Sequence, residues 1–201
     1  SWITPWNCPF ACPLWMLFHS LIDGDTAGVK LPQATPSVGQ RILQLFVWAG
    51  FPAGTINLVQ GDAVAGEALV SDPQVNVLLF TGSWGVGRKI QERSASMPDR
   101  IVAAEMGSKS AVIVCDDARL DLAVTAGIVS AFKTSGQRCV SAGRILVARK
   151  LVDAFSAKFV EVSKRLTIGD PLNSSNFTGP VVNSASVDNA LTYKQLSRSE
   201  G

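Results

Sequence analysis

Four short stretches hold the residue types best suited to chemistry. Cys139 lies in Ser135-Gly136-Gln137-Arg138-Cys139. A neighbouring cation raises the thiolate fraction of a thiol, and the thiolate is the nucleophile. An inert cysteine is the plainer alternative, although glycine, polar and cationic neighbours are unusual company for a core thiol. Glu105 leaves an apolar run for Met106-Gly107-Ser108-Lys109. A carboxylate placed there is either a desolvated general base or the ion-pair partner of Lys109. Asn7, after Pro5-Trp6, either caps a loop or aims its amide at a developing oxyanion. Gly82, Gly85 and Gly87 punctuate a stretch between strand-like and helix-like residues, where close approach of a phosphate to a helix N-terminus becomes feasible. Their spacing is not GxGxxG and no Gly-Lys-Ser/Thr follows, so neither the usual dinucleotide fingerprint nor a Walker loop is present. A tight, closely packed turn is the competing reading.

The single histidine, His19, leaves little room for His-dependent hydrolysis and excludes zinc sites built on several histidines. Cys8, Cys12 and His19 recur at i, i+4 and i+11, but no fourth ligand accompanies them. A packed helix and no metal site are expected. Four cysteines without framework spacing point to a reducing compartment, and a cytoplasmic location is the expectation. The net charge of +2 is too small for a nucleic-acid footprint. Before and including Gly107 the chain carries 6 basic and 8 acidic residues, and after it 12 and 8, scattered with no long charge run. The most apolar stretch, residues 8–22, is shorter than the roughly 20 residues a spanning helix needs, so no membrane partner is expected.

These residues must be positioned by alternating elements. Residues 26–30, 55–59, 75–81, 100–104 and 110–115 are short, apolar and β-branched, as buried strands are. Between them, residues 36–49 place Val38, Ile42, Leu45 and Ala49 on one helical face, opened by Thr35-Pro36 and closed by Gly50. Residues 62–71, 83–96, 120–133 and 151–166 read as further helices, with Gly127 speaking against the third. Strand 144–147 follows Cys139, and a helix-like stretch precedes Gly201. Such alternation predicts an α/β fold with a parallel sheet, whose ligands lie beyond the carboxyl ends of the strands. The loops after Ile3, Lys30, Thr81 and Glu105 are therefore the ones to inspect.

Taken together, Ile3-Thr4-Pro5-Trp6-Asn7, Phe80-Thr81-Gly82-Ser83, Glu105-Met106-Gly107 and Gly136-Gln137-Arg138-Cys139 resemble the signature stretches of the NAD(P)-dependent aldehyde dehydrogenase superfamily. They come in that family's order, with 34 positions from Glu105 to Cys139. Gly169-Asp170-Pro171-Leu172 and Gly179-Pro180 add smaller matches downstream.

The resemblance implies a partial Rossmann-like cofactor domain over 1–107, followed by the first part of an α/β catalytic domain over 108–201. It implies Cys139 as nucleophile, Glu105 as the base that activates water, and Asn7 as an oxyanion donor beside the Cys139 amide. Cofactor contacts would come from Ile3, Thr4, Pro5, Trp6, Lys30, Gln33, Gly82 and Ser83. Cys8, Arg138 and Val140 would line the pocket of a small aldehyde. The family's glutamate is replaced by Gln33, which cannot repel a 2′-phosphate by charge, so NAD and NADP both stay open. Ser108 replaces a glycine, and Trp84-Gly85 replace smaller or acidic residues. Family members are more than twice as long, so a piece of a longer, homo-oligomeric enzyme is expected. An inactive nucleotide-binding or structural fragment and a cofactor-independent ester hydrolase are the alternatives.

Overall fold

The computed structural model describes residues 1–200, which divide into two compact units between Gly107 and Ser108. The first unit alternates β1 (Trp2–Ile3), α1 (Ala11–Ile22), β2 (Ala27–Lys30), α2 (Pro36–Trp48), β3 (Ile56–Val59), α3 (Ala63–Ser71), β4 (Val77–Gly82), α4 (Trp84–Ser94) and β5 (Ile101–Met106). Its five strands are all parallel, in the order β3-β2-β1-β4-β5. Successive side chains of β4 feed different clusters. Leu78 and Phe80 pack with Val70 and Ile90 of α3 and α4, whereas Leu79 packs with Trp2, Leu17, Ile42 and Phe46. Alternation of this kind buries both faces of β4, which explains its continuous apolar run, whereas β5, expected to be buried, leaves Ile101, Ala103 and Glu105 exposed on one face. Leu17 and Leu78, fully buried, each contribute roughly 1.5–3 kcal/mol by leaving water.

Local signals set the helix ends. Pro36 occupies the first turn of α2, and Gly50, at φ +82°, follows its end. Thr35 holds the cap position but makes no side-chain capping bond, and its buried hydroxyl has no partner. Asp62 does cap α3, accepting from the Val64 amide at 2.9 Å. Helix α1 begins at Ala11, so Cys8 precedes it and does not share a helical face with Cys12 and His19. Among the described residues no cluster of His, Cys, Asp or Glu could hold a metal ion, and no helix is long and apolar enough to cross a membrane.

In the second unit β6 (Ser110–Val114) pairs in parallel with β7 (Ala142–Val147), joined through α5 (Leu120–Phe132). Helices α6 (Val152–Ser163) and α7 (Ser184–Glu200) follow. Val114, Val124, Ile128 and Phe155 form the core. Gly127, unfavourable for a helix by itself, lies where α5 meets α6. A Cβ there would stand 3.1 Å from Phe159 and 3.3 Å from Ile145, so packing room outweighs propensity.

Candidate active site

The strand order of the first unit creates a switch point. The chain runs outward from β1 through β2 to β3, then returns to place β4 on the other side of β1. Loops after β1 and β4 therefore diverge from neighbouring strands and leave a crevice at their carboxyl ends. Register puts Ile3 beside Lys30 on one side and Phe80 on the other, and puts Thr81 beside Glu105. Ile3, Thr4, Lys30, Gly82, Ser83 and Glu105 thus share one edge of the sheet.

Each of these has a distinct environment. The Thr4 amide donates to the Lys30 carbonyl at 3.2 Å, which ties the loop after β1 to the end of β2. Thr4 is buried, and its hydroxyl has no partner. Pro5, Trp6, Asn7 and Cys8 form a half-buried turn, while Gln33 is exposed. Lys30 is 9% exposed, and its side-chain amine makes no hydrogen bond or ion pair among the described residues. Burial lowers its pKa below the ordinary 10.5, and the charge of Asp62 acts in the opposite sense. An amine at the end of a buried side chain, without a protein acceptor among the described residues, suits a ligand that presents hydroxyl oxygens.

Ser83 precedes α4 without a side-chain capping bond, and no acidic residue occupies the first turn. Its carbonyl accepts from Val86 and Gly87 at 3.2 and 3.0 Å, whereas the Trp84 and Gly85 amides have no protein acceptor. Free amides at a positive dipole end fit a phosphate. Gly87 lets α4 press onto β4 and β5, since a Cβ there would lie 3.1 Å from the Phe80 ring.

Glu105 differs from the expectation. It is exposed rather than desolvated, and it forms no ion pair with Lys109. As the penultimate residue of an edge strand it has the Thr81 backbone on one side only.

In the second unit, Cys139 stands exposed in a turn before β7. The Ser141 amide donates to the Arg138 carbonyl at 3.0 Å, and the Arg138 amide donates to Ser141 Oγ at 3.3 Å. Among the described residues, neither the Cys139 amide nor its thiol has a hydrogen-bond partner. Arg138 is half-buried and donates from its guanidinium to the Val129 carbonyl at 2.9 Å, so the adjacent cation is engaged by the end of α5. Val140 is exposed. Before the turn, Thr134, Ser135 and Gly136 take three successive left-handed conformations, at φ 57°, 57° and 70°. A β-branched threonine gives no sequence signal for that geometry, and only Gly136 hinted at it.

The comparisons decide the family. The aldehyde dehydrogenase family model matches residues 1–201. This chain belongs to the aldehyde dehydrogenase family. It is 37% identical to a 1-pyrroline-5-carboxylate dehydrogenase of Geobacillus kaustophilus, over 99% of this chain and 40% of that one. It is also 37% identical to an alpha-ketoglutaric semialdehyde dehydrogenase of Bacillus subtilis, over 99% of this chain and 41% of that protein. The fold superposes with a TM-score of 0.95 and 29% identity on betaine aldehyde dehydrogenase of Staphylococcus aureus in complex with NAD+, covering 100% of this chain and 40% of that one. The parallel α/β architecture is therefore that of aldehyde dehydrogenases. The chain spans about 40% of the length of the curated relatives it matches.

Proposed function

We propose that the chain belongs to an enzyme that oxidises an aldehyde to a carboxylic acid with NAD+ or NADP+. The first unit is the latter part of the cofactor domain, and the second begins the nucleophile-bearing domain. One observation carries the reading: an exposed thiol whose own amide is unclaimed, on a turn preceded by a strained backbone. An inert cysteine needs none of this.

In this reading Cys139 Sγ attacks the aldehyde carbon as thiolate, and the carbonyl oxygen becomes an oxyanion. The Cys139 amide would donate to it, and the family resemblance assigns the same role to the Asn7 side-chain amide. The chemistry supplied by a bound nicotinamide ring is hydride acceptance, which leaves a thioester on Cys139. Glu105 takes a proton from water as that water attacks the thioester carbonyl, and Cys139 departs as thiolate with release of the acid. Lys30 would donate to a ribose hydroxyl, and Gln33, being uncharged, would not repel a 2′-phosphate. The Trp84 and Gly85 amides, next to Gly82 and Ser83, would hold the pyrophosphate, and Ile3, Thr4, Pro5 and Trp6 would wall the crevice. Cys8, Arg138 and Val140 belong to the aldehyde pocket. The semialdehyde named for one relative supports a substrate carrying a second polar group besides its aldehyde. A reducing compartment and a homo-oligomeric parent enzyme complete the reading.

The test is alkylation with iodoacetamide, followed peptide by peptide by mass spectrometry, with and without NAD+ or NADP+. Cys139 should react faster than the other exposed thiol, Cys115, and its rate should change with one cofactor. Equal, cofactor-blind labelling would overturn the proposal. Ester turnover indifferent to cofactor would favour a hydrolase instead.

A further inference from the structure

Cys139 makes no hydrogen bond of its own, so its place is decided by the residues on either side. On the upstream side the backbone adopts a conformation it would not choose. Thr134 and Ser135 are L-residues at φ 57°, a region such residues enter only at an energetic cost. Gly136, at φ 70°, completes the left-handed turn, and a Cβ on it would stand 2.9 Å from the Ala131 carbonyl oxygen.

Gln137 closes the turn locally, its amide and Nε2 donating to the Thr134 carbonyl at 3.1 and 3.2 Å, and further bonds come from far along the chain. The Ser135 amide donates to Thr178 Oγ1 at 2.7 Å, and Ser135 Oγ donates to the Gly179 carbonyl at 2.6 Å. Two residues on, Gln137 Oε1 accepts from the Val182 amide at 2.9 Å. Lys133 Nζ donates to the Phe177 carbonyl at 3.0 Å. Residues 177–182 therefore act as a strap across the nucleophile turn. The strap is itself anchored: the Phe177 amide donates to the Thr167 carbonyl at 2.9 Å, and the Gly169 amide to the Thr178 carbonyl at 3.1 Å.

Resting on the assignment of Cys139 as nucleophile, we infer that Ser135, Gln137 and Thr178 are positioning residues. Their strap bonds keep residues 134–136 left-handed and thereby present the Cys139 thiol and amide together. Strain at this point is maintained by dedicated long-range bonds, as expected where geometry serves a reaction. The Arg138–Ser141 turn then carries the constraint across Cys139 into β7.

The substitution Thr178→Val keeps the side-chain shape and removes the acceptor of the Ser135 amide, whereas Thr178→Ser retains it. Gln137→Met removes the acceptor of the Val182 amide, and Gln137→Glu retains an acceptor oxygen there. The readout is the iodoacetamide rate of Cys139 divided by that of Cys115, an exposed thiol after β6 in the same unit. Thr178→Val and Gln137→Met should each lower the ratio about fivefold, the scale of one lost hydrogen bond, and the conservative variants should restore it. A ratio unchanged in both, or Cys139 and Cys115 changing in parallel, would overturn the inference. A wild-type Cys139 no faster than Cys115 would sink the nucleophile assignment first, and this proposal with it.

Discussion

Gly87 of α4 lies so close to Met106 of β5 that a Cβ on the glycine would stand 2.5 Å from the methionine sulfur. That contact seats the helix whose N-terminus faces the crevice against the strand that carries Glu105. Gly87→Val should therefore push α4 off the sheet and cost about 1–3 kcal/mol by overpacking. All five tryptophans belong to the first unit, so urea unfolding followed by tryptophan fluorescence reports on it selectively. An unchanged midpoint would show that Met106 simply moves aside.

Lys30 couples burial to pH. Its folded pKa lies below the ordinary 10.5, because burial penalises the charged amine. At neutral pH that penalty is present in full, and Lys30→Met should be more stable than the parent. As pH rises through the lowered value toward 10.5, the folded amine loses its proton before the unfolded one. The unfolded chain then binds more protons, the parent's stability rises, and the gap between the two proteins narrows. Urea midpoints across that range measure this directly, and a constant gap would contradict it. The same variant should bind cofactor more weakly.

Gly66, inside α3, has no atom within 4 Å of the position its Cβ would take. Gly66→Ala should accordingly stabilise the first unit by about 0.5–1 kcal/mol through reduced backbone freedom in the unfolded chain. Destabilisation in the same tryptophan-monitored titration would disprove that.

Phe155 is the aromatic anchor of the second unit, 4% exposed and stacked on Phe159 with ring centroids 5.6 Å apart. Phe155→Ala should cost about 3–5 kcal/mol. Hydrogen exchange should accelerate in α5 and β7, which meet the same core. Protection left intact in those elements would refute the assignment.

Where local interactions decide, the sequence was enough. Pro36 and Gly50 bounded α2, Asp62 opened α3, and short apolar β-branched runs became parallel strands, because each signal acts within a few residues of itself; burial followed in β2 and β4 but not in β5, where Ile101, Ala103 and Glu105 are exposed. The four motif stretches likewise announced the family and the order of its parts. Long-range partners decided the rest. Gly127 sits comfortably in α5 only because Phe159 and Ile145 close on it, and Lys30 loses its solvent only once the sheet assembles. Glu105 ended up exposed because it shares with Ile101 and Ala103 the face of β5 that is left open, while Val102, Ala104 and Met106 pack on the other, and which face is covered is decided by tertiary packing. The left-handed turn at Thr134 and Ser135 is the clearest case. Its conformation opposes local preference and is sustained by partners 43 and more residues away, so it exists only in the folded chain.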